Sequence, residues 1–164
     1  MFRRSRAREV ALQLLFQHDQ NSTPVKRRVI ERFAKDRLRD PELITFALRL
    51  YNGTLANIVA MDKLISETAE NWRLKRMMPV DRNVLRLGTF ELLFDTDRSP
   101  VPTLLNEAIE LARRYGTADS PAFVNGILDK IARSRTKSVS DSAGVSGKPK
   151  TPPTNSGTPP DAKP

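Results

Sequence analysis

The sequence predicts an all-α fold, a compact bundle of six or seven helices. Apolar residues recur at helical spacing in one segment after another, as Ala7, Val10, Ala11, Leu14 and Leu15 do near the N-terminus. No segment shows the alternation of apolar and polar residues that is typical of a strand. Several apolar segments also begin after a small polar residue and a proline, the pattern expected where a helix starts. These observations favour helices throughout the body of the chain.

The first two helices are predicted on either side of a polar break. The first runs from about Ser5 to Gln20, and Ser5 is its expected N-cap. Pro24 suits the first turn of the second helix, because a proline there removes no helical hydrogen bond. Thr23 would cap this helix, which is expected to end near Arg37.

A long third helix is predicted in the middle of the chain. Asp40 and Pro41 repeat the pattern of a cap followed by a proline, and an apolar stripe then continues to Ile65. The pair Asn52-Gly53 is expected to loosen this helix locally. Residues 72–79 form a connection.

The next helix, residues 80–94, is so apolar that it is predicted to be the centre of the bundle. Gly88 in its middle costs about 1 kcal/mol relative to alanine, so we expect another helix to approach closely there. A turn at residues 99–102 leads to a further helix that ends at Gly116. Ser120 and Pro121 begin the last helix.

Composition divides the chain into a body, residues 1–133, and a tail, residues 134–164. The tail holds six of the twelve prolines together with Ser, Thr, Gly and Lys. Because it has almost no large apolar residues, it cannot bury enough surface to offset the entropy of ordering. We predict that the chain is disordered from about residue 134 onward.

The formal net charge of the 164-residue chain is +9. Residues 133–164 carry six basic and two acidic side chains, a net of +4, which leaves +5 for residues 1–132. The first ten residues hold four arginines and one glutamate, so we place most of the body's excess charge there. A compact cationic cluster at the start of a helix favours a polyanion such as nucleic acid, and the alternative is a solvated, solubilising end.

Several classes of function lack the residues that they need. The chain has no cysteine and a single histidine, His18, and it shows no Gly-rich phosphate loop and no Ser/His/Asp constellation. We therefore expect no enzyme activity, no metal and no cofactor. No run approaches the ~18 apolar residues of a membrane helix, and no signal peptide is recognisable, so we expect a cytoplasmic protein without a membrane partner.

Two groups of arginines are candidates for nucleic-acid contact, because a guanidinium can grip a phosphate with two hydrogen bonds and stack on a base. On a helix, Arg4 and Arg8 share one face, and Arg3 and Arg6 lie at its first turn. The second group comprises Arg76, Arg82 and Arg86. For Arg86, inside an apolar helix, the alternative is an ion pair with a buried carboxylate such as Glu91 or Glu107.

Three stretches together resemble the NusB family of bacterial transcription antitermination factors. They are the basic start RRSRARE at residues 3–9, the middle segments WRLKR, VDRNVLRLG and FELL at residues 72–93, and the pair LLNEAIELARRYG and FVNGILD within residues 104–129. The resemblance covers about residues 3–132 with the same order and spacing. It implies two small helical lobes packed together.

The resemblance also implies how the protein works. In this family the basic N-terminus contacts boxA-type single-stranded RNA of ribosomal RNA operons, and the partner is NusE, a small-subunit ribosomal protein. The pair helps to load the antitermination complex onto RNA polymerase. The positions at which the family holds NusE correspond here to Phe16, Tyr115, Asp119 and Phe123.

Each partner position also has a plain structural alternative. An aromatic side chain at helical spacing usually belongs to the core, and Asp119 would cap the last helix together with Ser120. Phe16 stands where other members carry tyrosine, and the long tail is not part of the family's usual pattern. An apolar patch that binds NusE would also support a homodimer.

Two other functions stay open. The same helical domain occurs fused to ribosomal-RNA cytosine methyltransferases, but this sequence contains no Rossmann-like half. The alternative is therefore a stand-alone RNA-binding relative of that N-terminal domain. A further possibility is a helical scaffold that uses its surface aromatics to bind some other protein.

Overall fold

The computed structural model describes residues 2–70 and 72–142, and within these ranges the chain is all-α and has no strand. Seven α-helices and one short 3-10 turn make up this part of the chain. Their bounds are α1 Phe2–Gln20, α2 Arg27–Arg37, α3 Pro41–Ala56, α4 Ile58–Thr68, the 3-10 turn Leu74–Arg76, α5 Pro79–Leu93, α6 Val101–Tyr115 and α7 Ser120–Ser142. The predicted fold class is confirmed.

The predicted start of α3 is confirmed, but those of α1 and α2 are wrong. The Asp40 carboxylate accepts a hydrogen bond from the Glu42 N–H at 2.9 Å, as an N-cap does. Helix α1 already begins at Phe2, so Ser5 lies inside it and its hydroxyl instead donates to Glu107 at 2.7 Å. Helix α2 begins at Arg27 after an extended Lys26, so Thr23 and Pro24 belong to the connection and not to a helix start.

Two glycines lie inside helices at positions where a side chain from another helix packs closely against the backbone. A Cβ on Gly88 would lie 2.7 Å from a methyl carbon of Leu128, so α7 approaches α5 as the sequence predicts. Gly53 does not loosen its helix, because it is packed against the Phe90 ring, 2.2 Å from where a Cβ would stand. The expected weak point lies instead at Asn57, where α3 ends and α4 leaves at an angle of 74°.

Helix α5 is the centre of the molecule, as predicted. It packs against α1, α3, α4, α6 and α7, and it brings one contiguous apolar core together. Helices α1, α2 and α3 pack together on one side, and α4, α6 and α7 surround the other side of α5. This grouping corresponds to two small packed lobes. Helix α2 lies at the edge, where it packs mainly against α3 and α1.

The predicted end of the ordered body is too early. Helix α7 continues without a break to Ser142, so residues 134–142 are helical and the prediction that the chain is disordered from residue 134 is wrong for them. The rest of the predicted tail, residues 143–164, lies outside the described residues.

Candidate functional site

Three N-terminal arginines lie exposed on the first turns of α1. Their side chains are 71%, 50% and 51% exposed in chain order, and each reaches a carboxylate. The pairs are Arg3 with Asp40, Arg4 with Asp97 at 2.6 Å, and Arg6 with Glu9 at 2.6 Å. The carboxylates that meet Arg3 and Arg4 are 24% and 36% exposed, and surface pairs of this kind contribute only about 0–1 kcal/mol, so these two guanidinium groups can exchange a carboxylate for a phosphate. Glu9 is only 6% exposed but also meets Arg114, so it keeps a counter-charge when Arg6 binds a phosphate instead.

Arg8 does not join them at the surface. Its side chain is only 3% exposed, and its Nε donates to both carboxylate oxygens of Glu91 at 3.0 and 3.1 Å. Glu107 lies 3.8 Å away on the other side. Arg4 and Arg8 do share a face of α1, as predicted, because both guanidinium groups lie over the Phe46 ring. Arg8 is nevertheless not available at the surface, because Glu91 of α5 and Glu107 of α6 enclose it.

Burial also perturbs the carboxylate that holds Arg8. Removal from water raises the pKa of Glu91, and the nearby acids Asp95 and Glu107 raise it further. The hydrogen bond and charge of Arg8 act in the opposite direction, but the net pKa of Glu91 is above its ordinary value. Arg8 thus compensates a buried acid, which is a structural role.

Three arginines pack around one phenylalanine ring at this end of the molecule. The guanidinium carbons of Arg4, Arg8 and Arg49 lie 4.8, 5.3 and 5.2 Å from the centroid of the Phe46 ring. Such contacts attract a cation to the face of an aromatic ring. Phe46 is buried, so its ring fixes the direction of Arg4 and leaves half of that side chain exposed.

Two of the three arginines in the second group form a largely buried network around Asp19. Arg82 donates to Asp19 at 2.5 Å, and Arg86 donates to its other oxygen at 3.1 Å. Arg86 also makes a two-point contact with Asp62 at 2.7 and 2.8 Å and is buried. The alternative of a structural pair therefore describes Arg86 in this structure, but the expected partners are wrong, because Glu91 and Glu107 face Arg8.

The electrostatics of Asp19 follow from this network. Burial by itself raises the pKa of the carboxyl group. The hydrogen bonds and charges of Arg82 and Arg86 outweigh burial, and they hold the pKa of Asp19 below its usual value. The ionised carboxylate is therefore the form that the folded protein stabilises.

The members of this second group do not form one surface. Arg82 is partly buried and donates to the carbonyl oxygens of Leu74 and Met77, both at 3.2 Å, so it ties the 3-10 turn to α5. Arg76 is exposed on that turn, and within the described residues it makes no ion pair. Of this group, only Arg76 presents its charge to solvent.

The four predicted partner residues lie at two separate grooves and in the loop between α6 and α7. Phe16 and Tyr115 are 39% and 37% exposed, and they line the same groove of about 480 Å³. Leu12, Phe33 and Val80 form more of its apolar lining. The groove therefore joins the first two helices to the start of α5 and the end of α6.

Phe123 lies in the second groove, of about 240 Å³, where its ring meets Trp72 edge to face at 5.7 Å. Trp72 is 56% exposed, and it was predicted as part of a connection and of the segment WRLKR but not as a surface contact. Asp119 is exposed in the loop before α7. The Ser120 hydroxyl accepts from the Thr117 N–H at 2.9 Å, whereas the Asp119 side chain makes no hydrogen bond within the described residues.

The most basic segment of the body was not predicted. Residues 26–39 carry seven basic and two acidic side chains, a net of +5, against +3 for the first ten residues. The prediction that most of the excess lies at the N-terminus is therefore wrong. A net charge taken window by window along the sequence would have found α2.

The described residues contain neither a metal site nor a single helix that could span a membrane. No group of three or more His, Cys, Asp or Glu side chains is placed to hold a metal ion. No single helix there is long and apolar enough to cross a membrane, and only α3 and α4 together reach that length and composition, across their 74° bend.

Known proteins resemble this chain in sequence and in fold. A model of the NusB family matches residues 5–133. The transcription antitermination protein NusB of Geotalea daltonii is 43% identical over 143 residues, which cover 82% of this chain and 97% of that protein. The solved structure of T. maritima NusB is 43% identical, with a TM-score of 0.67, and the match covers 79% of this chain and 90% of that one.

A chain from the crystal structure of the antitermination factors NusB and NusE in complex with dsRNA also matches. It is 23% identical, its TM-score is 0.73, and the match covers 82% of this chain and 98% of that one. At this level of identity the comparison shows a shared fold.

Proposed function

This chain belongs to the NusB family, and from this premise we propose that it is a transcription antitermination factor that binds boxA-type single-stranded RNA together with NusE. The observation that carries the proposal is its sequence identity with NusB proteins over nearly their whole length. The protein acts by binding in the cytoplasm: it brings RNA and NusE together and helps to load the antitermination complex onto RNA polymerase. Membership of the family does not by itself show which residues of this chain contact RNA or NusE.

The RNA contact that we propose centres on the exposed arginines of α1 and includes Arg76 on the 3-10 turn. These side chains present guanidinium groups to solvent, while Arg8, Arg82 and Arg86 are held by carboxylates in the interior. Single-stranded RNA is bound through phosphates and stacked bases, and guanidinium groups suit both. We therefore assign the first contact to Arg3, Arg4 and Arg6.

The test is the salt dependence of RNA binding by a variant with Gln at positions 3, 4 and 6. Each lost phosphate contact lowers the slope of log K against log salt by roughly 0.7 on single strands, so the triple variant loses about 2. Affinity for a boxA RNA falls accordingly at near-physiological salt. An unchanged slope in the folded variant would show that these arginines do not contact RNA.

The NusE contact that we propose centres on the groove lined by Phe16 and Tyr115, with Asp119 in the loop beyond α6. Two exposed aromatic side chains offer the apolar anchors that compact interfaces use. Asp119, four residues after Tyr115, is exposed and makes no side-chain hydrogen bond among the described residues, so it can supply a polar contact. Phe123 lies in the groove with Trp72, so its assignment to the same interface depends on a partner that spans both grooves.

Alanine at position 115 and asparagine at position 119 test this interface. Each should weaken NusE binding by about tenfold or more and leave the fold intact, since both side chains are exposed. Alanine at Val59, 81% exposed on α4, is the control and should bind NusE normally. If both test variants bound NusE normally, the NusE interface would not include this groove.

The alternative, a stand-alone relative of the RNA-binding domain of ribosomal-RNA methyltransferases, predicts a different result. Its RNA binding would neither prefer boxA nor respond to NusE. Binding of a boxA RNA and a scrambled RNA, each with and without NusE, therefore distinguishes the two functions.

A further inference from the structure

A second basic surface lies on α2. Arg28, Arg32 and Lys35 follow one another at spacings of four and three residues, which places them within about 60° of arc on one side of the helix. We call these three residues the α2 basic face. The opposite side carries Ile30 and the fully buried Ala34, which pack onto the core, so the basic face points to solvent.

The α2 basic face is less neutralised than the arginines of α1. Within the described part of the chain, Arg28 and Lys35 make no ion pair, and Arg32 meets Asp36 only at 4.0 Å. The flanking cations Lys26 and Arg39 are also exposed and without an ion pair among the described residues. Like charges at this spacing repel one another and destabilise a helix, so the sequence keeps an arrangement that its own fold does not require.

The C-terminal end of α2 lies near the proposed RNA site. Arg39 directly precedes Asp40, and Asp40 pairs with Arg3 at the start of α1. The basic end of α2 therefore meets the N-terminal arginines at one corner of the molecule. From there α2 extends the positive surface by its eleven residues, or about 16 Å.

Apolar surface lies beside the charges. Val29 is 54% exposed, and with Phe33 it lines a shallow groove of about 390 Å³ next to Arg28 and Arg32. Single-stranded RNA offers both a phosphate backbone and unstacked bases with apolar faces. A row of cations beside an open apolar groove complements both parts of such a strand.

We propose that the α2 basic face binds the phosphate backbone of single-stranded RNA and that, with the N-terminal arginines, it forms one continuous RNA track. This inference rests on the proposed function and adds a second contact region to it. It predicts that the protein holds RNA beyond the stretch that reaches Arg3, Arg4 and Arg6. The contact is electrostatic and depends little on base sequence.

The experiment compares two double variants of the full chain with wild type. One carries Arg28→Gln and Lys35→Gln, and the matched control carries Lys63→Gln and Lys130→Gln at two exposed lysines. Both variants remove two positive charges, and none of the four side chains makes an ion pair among the described residues. Gln keeps a high helix propensity, so both variants should fold, which circular dichroism checks.

Binding is measured across salt concentrations with a single-stranded RNA of about thirty nucleotides, longer than the ~4–16 nucleotides of many single-strand sites. We expect the slope of log K against log salt to fall by about 1.4 in the Arg28/Lys35 variant, roughly 0.7 for each contact. The Lys63/Lys130 control should change by less than half of that amount.

The outcomes separate this inference from the proposed function. If the Arg28/Lys35 variant behaves like its control while the Arg3/Arg4/Arg6 variant loses affinity, the α2 inference is overturned and the proposed function stands. If wild type binds neither boxA nor generic single-stranded RNA, both fail. A slope change confined to the Arg28/Lys35 variant and the Arg3/Arg4/Arg6 variant supports the continuous track.

Discussion

Helices α1 and α2 are both rich in basic side chains, but the fold treats the two helices differently. Each of the four arginines near the start of α1 meets a carboxylate, and Arg8 is removed from solvent altogether. On α2, Arg28 and Lys35 lie exposed and make no ion pair within the described residues. The number of charges in a segment therefore does not predict how much charge is available to RNA, because acidic groups from distant helices decide it.

The largest expected effect is on the interior network. Asp19→Ala leaves Arg82 and Arg86 without their shared carboxylate, and we expect a loss of about 3 kcal/mol of unfolding free energy, the low end for buried pairs, because Asp19 is 14% exposed. Chemical denaturation measures this loss. The control is alanine at Asp36, 63% exposed and 4.0 Å from Arg32, which should cost less than about 1 kcal/mol. Equal losses of unfolding free energy in the two variants would contradict the distinction between interior and surface ion pairs.

A crossed pair of variants sharpens the comparison within α1. Gln at Arg8 should lower the unfolding free energy by about 3 kcal/mol, because Glu91 is left buried without its counter-charge, and should leave the salt slope of RNA binding unchanged. Gln at Arg4 should do the reverse, with a stability change below about 1 kcal/mol and a slope change of roughly 0.7. A slope change for Arg8 in the folded protein would contradict its interior role.

The smallest expected effect is a change in the free energy of unfolding at acidic pH. The pKa of Asp19 is lower in the folded state than its ordinary value of 3.8, so the ionised form stabilises the fold above that value. This contribution is lost as the pH falls through the lower, folded-state pKa. Asparagine at position 19 should therefore be less stable than wild type near neutral pH, and the difference should shrink below about pH 4. Denaturation curves over this range measure it, and a constant difference would contradict the assignment.

The sequence predicts the helices better than it predicts their ends. Apolar periodicity is strong in α5, and Gly88 correctly indicates a close neighbour, because both signals come from local spacing. The start of α2 was wrong because Pro24, which suits a helix start by its backbone angles, lies instead in a connection. Gly53 was misinterpreted because only the folded structure brings the Phe90 ring against it.

The candidate site was less predictable than the fold. Helical spacing correctly pairs residues four apart, but it does not show which side of a helix a distant element covers. Arg4 and Arg8 are four residues apart on α1, yet only Arg8 contacts Glu91 and Glu107. The groove that unites Phe16 with Tyr115 joins residues almost a hundred positions apart, and no local pattern contains that information.

The most direct test follows the arginine Nε–H signals by NMR while single-stranded RNA is added to the full-length protein. Substitution of single arginines assigns the signals. We predict that the signals of Arg4 and Arg28 shift on addition of RNA, because these side chains are at the surface, and that those of Arg8 and Arg86 stay in place, because carboxylates hold them in the interior. Shifts at Arg8 and Arg86, with Arg4 and Arg28 unaffected, would contradict the account.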